Sequence, residues 1–119
     1  MANYIDRFVF PVRRDRLSEY TRLAETAAEV WKEHGALSYR EYLGDDLVLE
    51  GTRSFIDATG ATDDEVVVFG WVEFESRPAR DRAREKVATV PRMAAVLEAS
   101  DSGFDPSRMA YAGFKPLVG

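Results

Sequence analysis

Cysteine is absent from the 119 residues, histidine occurs once, and basic side chains are outnumbered. Without thiols there can be no disulfide, no thiolate nucleophile, no zinc-thiolate site and no iron-sulfur cluster. His34 is then the one side chain expected to titrate near neutrality without help from its surroundings. Long hydrophobic runs are missing too: the longest nearly apolar stretch, residues 66–72, falls far short of the ~20 residues that span a bilayer, so no membrane association is expected. The first ten residues contain no basic segment leading into an apolar one, and a cytoplasmic protein is the simplest expectation. Lys and Arg number 16 against 21 Asp and Glu, a net charge of -5. Residues 1–60 carry 8 basic and 11 acidic side chains and residues 61–119 carry 8 and 10, so neither half is a basic arm and no nucleic-acid partner is expected. No phosphate-cradling glycine loop and no Ser, His and Asp spacing is present.

What remains is an ordinary globular composition, 45% hydrophobic and 31% charged, and a length that predicts one domain over residues 1–119. Residues 4–12 are aromatic and β-branched with Pro11 near their end, which predicts a strand. Leu17, Tyr20, Ala24, Ala27, Trp31 and His34 recur at intervals of three and four, the stripe of an amphipathic helix over residues 16–34, and Gly35 supplies its stop. Alternation over residues 36–43 predicts a second strand, with Leu37, Tyr39, Glu41 and Leu43 on one side. Residues 44–64 hold three glycines and six acidic residues with no sustained period, a long excursion or an extended hairpin. Residues 65–75 are apolar on both faces, the strongest strand signal in the chain.

Ser76 is placed to cap a helix reaching about residue 89, with Pro78 in its first turn. Val90-Pro91 interrupts it, Met93, Val96 and Leu97 suggest a further short helix, and residues 109–117 read as the last strand. Strand, helix, strand, strand, helix, strand is the ferredoxin-like βαββαβ arrangement, an α+β fold with an antiparallel sheet and helices on one face. Helices on one face cannot cover a strand that is apolar on both. Burying the other face against a second copy would give a homodimeric α+β barrel.

Tyr4-Ile5-Asp6 with Phe8, the run Trp31 to Leu37, Glu41 with Asp45-Asp46, Glu65 to Phe69 followed by Trp71, Arg80-Asp81, Pro91-Arg92-Met93, Phe104-Asp105, Arg108-Met109, Tyr111 and Gly113-Phe114 together resemble the YbaA-like family, domain of unknown function 1428, in the dimeric α+β barrel superfamily. Gly70, Gly103 and Ala112 depart from its usual pattern, with glycine where serine is common, glycine in place of a proline, and alanine where glycine is common. The resemblance implies the ferredoxin-like barrel and no established activity. At the superfamily level it implies a range from cofactor-independent monooxygenases and isomerases to haem-binding and stress proteins. Fold does not choose among these.

Trp31, Tyr39, Glu41, Trp71, Arg108 and Tyr111 are the candidate ligand-binding residues, aromatic and charged side chains expected to border a pocket between sheet and helices. Asp6 or Arg7 is expected to pair with Glu41, Glu73 or Arg108 beside it, because a buried charge needs a partner. No nucleophile, metal site or cofactor is expected, and a catalytic residue is not identified. An oxygenase of this kind would only position a substrate that itself supplies electrons to oxygen. The functional expectation is a small-molecule-binding homodimer, with monooxygenase-like or isomerase-like chemistry open to it. The alternative is a non-catalytic structural or stress-associated dimer whose interior is filled, and a third reading is haem ligation by His34. His34 also suits a helix's last turn, Asp105 a turn-capping role, and Asp45-Asp46 a solvated loop.

Overall fold

Ten consecutive residues in each of the two most apolar segments become the central strands of one sheet. They are β1 (Tyr4–Arg13) and β3 (Glu65–Phe74) in a computed structural model that describes residues 3–99 and 102–119. The shorter β2 (Ser38–Leu43) and β4 (Ala110–Phe114) form the edges, in the order β2-β3-β1-β4 with every neighbouring pair antiparallel. Helix α1 (Leu17–Glu33) lies between β1 and β2 in sequence, while α3 (Arg77–Val87) and α4 (Pro91–Ala99) lie between β3 and β4. This is the ferredoxin-like α+β fold expected from the order of signals.

Alternation along the central strands sends Asp6, Phe8, Phe10 and Val12 of β1 and Val68, Val72 and Phe74 of β3 to the helix-covered face, where all are buried. Against them α1 buries Tyr20, Leu23, Ala27 and Val30, and α3 buries Arg80, Ala83 and Val87. The helical stripe is therefore centred differently from the sequence expectation. Leu23 and Val30 lie at its middle, Ala24 and Trp31 flank it, and Leu17 and His34 are only half-buried. A helix packed on a sheet buries a band more than ~100° wide, so two neighbouring rows share the core.

The expected stops hold. Gly35 has a φ of +118° just past α1, and the Ala36 amide donates to the Trp31 carbonyl at 3.0 Å. Ser76 Oγ accepts from the Ala79 amide at 3.2 Å, with Pro78 in the first turn of α3. The last strand is shorter than expected, ending at Phe114 opposite Ile5, one residue from the start of β1, and Pro116 beyond has no amide to extend the ladder.

No strand forms in residues 44–64; they wrap as a loop carrying one short helix, α2 (Phe55–Thr59). Ser54 Oγ accepts from the Ile56 amide at 3.0 Å at its start, and Gly60, at a φ of +69°, ends it. The Phe55 ring meets Phe69 edge-on, with centroids 6.0 Å apart, so α2 covers part of the face opposite the other helices. The premise that helices cover one side only is corrected to that extent. The rest of that face holds Ile5, Arg7, Val9, Phe69, Ala112 and Phe114 around an open apolar groove of about 450 Å³.

Candidate functional site

The helix-covered face of the sheet is not filled. Between β1, β4, α1 and α4 lies a cavity of about 200 Å³ walled by Trp31, Tyr39 and Tyr111 together with Phe8, Phe10 and Phe104. Its rings lock one another in place: Phe8 stacks on Tyr111 with centroids 5.5 Å apart and planes 4° from parallel, and Phe10 meets Phe104 edge-on at 5.2 Å. Trp31 stands edge-on to Phe74 at 5.9 Å. Such aromatic pairs prefer offset or edge contacts and hold their geometry well.

A second hollow of about 320 Å³ lies between α1 and the β2 edge, with Leu17, Ala24, Ala28, Leu43 and Val68 as its apolar walls. Tyr20 and Tyr39 line both hollows and so form their shared wall. Glu41 sits at that wall, its Oε1 accepting from the Tyr20 hydroxyl and its Oε2 from the Tyr39 hydroxyl at 2.6 Å. Burial pushes the Glu41 carboxyl above its ordinary range, and the two hydroxyls oppose that rise without cancelling it. Burial, reinforced by the Glu41 charge, drives both phenols far above theirs, so they remain protonated donors.

Asp6 is completely buried, and its partners differ from those expected. Arg80 Nη1 donates to Oδ1 at 2.7 Å and the Tyr111 hydroxyl donates to Oδ2 at 2.6 Å, rather than Glu41, Glu73 or Arg108 approaching it. The reason is topological. Asp6 lies on the helix-covered face, where α3 delivers Arg80, whereas Arg7 points the other way and lays its guanidinium 3.6 Å over the Trp71 ring. Arg80 Nε also donates to Asp81 at 2.8 Å.

Of the sequence candidates, Trp31, Tyr39 and Tyr111 meet at the inner cavity and Glu41 joins Tyr39 at the groove. Trp71 lies on the opposite face of the sheet. Arg108 is held at the sheet's end, donating to both Glu65 oxygens at 2.5 and 3.0 Å and to the Gly60 carbonyl at 3.0 Å. Its hydrogen bond holds the Glu65 carboxyl down to about 2. His34 ends α1 half-buried and lines neither hollow. Asp105 caps its turn, accepting from the Ser107 amide at 3.0 Å. Tyr20 and Phe104 belong to the site and were not among the candidates. A hydroxyl-bearing ring in the middle of an otherwise apolar helical stripe was the available signal for Tyr20.

Among the described residues no group of three or more His, Asp or Glu side chains is arranged to hold a metal ion, and no helix is long and apolar enough to cross a membrane.

Comparison with known proteins gives a consistent picture. The profile of a family described as protein of unknown function (DUF1428) matches residues 3–106. The uncharacterised protein YbaA of Escherichia coli K12 is 36% identical over 115 residues, 97% of each chain. Among solved structures, a monooxygenase from the gene ActVA-Orf6 of Streptomyces coelicolor, in complex with nanaomycin D, superposes with a TM-score of 0.59 at 18% identity over 99% of this chain and 90% of its own. A NIPSNAP family protein of unknown function from Agrobacterium tumefaciens gives 0.59 at 14% identity over 97% and 88%. These likenesses are of fold.

Proposed function

We propose that this chain, which belongs to the DUF1428 family of proteins of unknown function, is a homodimeric small-molecule-binding protein of one domain, whose ligand sits between sheet and helices. The observation that carries the reading is the cavity of about 200 Å³ bordered by Trp31, Tyr39 and Tyr111. The hollow is partly open to solvent, so a small molecule can reach its aromatic walls. Aromatic walls with the hydroxyls of Tyr20, Tyr39 and Tyr111 at their edges suit a planar, mostly apolar ligand. The alternative, a structural unit with a filled interior, is disfavoured by the same hollow. The S. coelicolor monooxygenase of like fold holds nanaomycin D, which supports ligand binding by this fold without extending that activity to this chain.

The dimer rests on the outer face. The open apolar groove around Ile5, Val9, Ala112 and Phe114 is continuous enough to seat the same face of a second copy, sheet on sheet. Native mass spectrometry tests both parts. A dimer carrying extra mass is expected, with that mass lost in Ala27→Leu, whose larger side chain enters the cavity, and a monomer is expected for Val9→Glu. A wild-type monomer overturns the dimer, and a bare dimer that takes up no aromatic small molecule overturns ligand binding.

A further inference from the structure

The groove between α1 and β2 has a chemical polarity of its own. Of the side chains lining it, Glu41 and Glu25 are acidic, and among the described residues none is basic. The side-chain donors around Glu41 are already in use. The Tyr20 and Tyr39 hydroxyls each have one proton, and both protons are already committed to Glu41. What they leave facing the groove is lone pairs: those of two phenol oxygens and the unused ones of a carboxyl. Thr21 is no exception, because its hydroxyl donates to the Leu17 carbonyl at 2.7 Å. The walls are otherwise apolar, formed by Leu17, Ala24, Ala28, Leu43 and Val68.

We infer that this groove selects an apolar amine, a small organic cation whose N–H donors meet Glu41 while its hydrocarbon part lies along α1. This goes beyond the reading of the inner cavity: it names a second site, which shares the Tyr20 and Tyr39 wall with that cavity and does not depend on its being occupied. An anion of the same shape would bring its charge against two acidic side chains, with no basic side chain lining the groove to offset it. A neutral alcohol has one donor and no charge, so it falls between. A cation also offsets the burial of Glu41 and restores to the carboxyl some of the solvation it lost.

Three probes of equal size separate these cases: phenethylamine, 2-phenylethanol and phenylacetate. Each is titrated into the purified full-length protein at neutral pH and followed by amide chemical shifts of the residues lining the groove. The expected order of affinity is amine, alcohol, acid, with the amine favoured over the acid by about tenfold or more. Glu41→Gln should erase that preference while leaving alcohol binding within about threefold, a change too small to reflect a lost charge contact. Because Glu41 is half-buried and the substitution could disturb folding, Glu25→Gln at the exposed rim is the companion variant, and it should weaken the amine alone. Binding of all three probes alike, or an amine preference that survives both substitutions, overturns the inference while leaving ligand binding intact. Absence of shifts with any probe removes the groove as a site and overturns the inference, and the inner cavity is then judged by its retained mass.

Discussion

Gly70 on β3 leaves the space that the ring of Phe8 on β1 occupies. The two residues are directly opposite in the antiparallel ladder, and a Cβ at position 70 would stand 1.9 Å from the end of that ring. The ring cannot step aside, since Tyr111 is stacked on it and Phe10 lies 6.0 Å away. Gly70→Ala, and Gly70→Ser more so, should destabilise the protein by roughly 1–3 kcal/mol as overpacked core substitutions do. Chemical denaturation checks it, and Phe8→Leu combined with Gly70→Ser should recover most of the loss.

Asp6 and Arg80 form an ion pair at 2.7 Å whose side chains are 0% and 6% exposed. Asp6→Asn keeps an acceptor for Tyr111 but strips Arg80 of its buried counter-charge, leaving only the exposed Asp81 beside it. A loss of about 3 kcal/mol is expected, the low end of the cost of breaking a buried pair from one side. Equal stability of Asp6→Asn and wild type in a urea titration would contradict it.

Glu41 titrates above the ordinary glutamate value of 4.5 in the folded chain. A carboxyl raised on folding binds its proton more tightly in the native state than in the unfolded one. Its contribution is therefore most favourable below 4.5 and is lost as pH rises through the raised folded value. The groups facing it, Tyr20 and Tyr39, stay neutral throughout that window. The stability of wild type relative to Glu41→Gln should thus fall as pH rises from 4.5 toward neutrality, measured by denaturation at a series of pH values.

Glu65 behaves in the opposite sense. Arg108 holds its carboxyl at about 2, so the pair stabilises the protein above 4.5, the ordinary value, and that contribution fades as pH falls toward 2. In Arg108→Ala the Glu65 carboxyl resonance, followed by NMR, should titrate at a higher pH, with the Thr62 amide, which donates to Glu65 Oε1 at 2.9 Å, still holding it below the ordinary value.

The order of elements was legible in the sequence because two different periods, two and three-to-four, mark its segments and because Gly35, Ser76 and Pro91 punctuate them where backbone chemistry requires. The centre of the α1 stripe was not, since Leu23 and Val30 are as apolar as the row beside them and only the partner sheet decides which row goes deepest. At the site, Trp31, Tyr39, Glu41 and Tyr111 could be named from residue type. Arg80 as the partner of Asp6 could not, because 74 residues separate them and α3 carries several arginines of equal appearance from one strand's viewpoint. Arg108 and Trp71 looked alike to the others in sequence and were separated by the alternation of the sheet and by the turn that ties Arg108 to Glu65.

The unequal strand lengths bear on how the molecule can associate. Its two ten-residue strands are enclosed, and the edges that bracket them are six and five residues long. One edge runs into Gly44 and the acidic Asp45-Asp46, the other into Lys115 and Pro116. Neither offers the long, unpaired row of amides and carbonyls on which a foreign strand could be templated, so end-to-end growth of the sheet is closed off at both sides. An assembly through the outer groove, as proposed above, would bury that face of each copy against the other and leave no free copy of it to recruit a third.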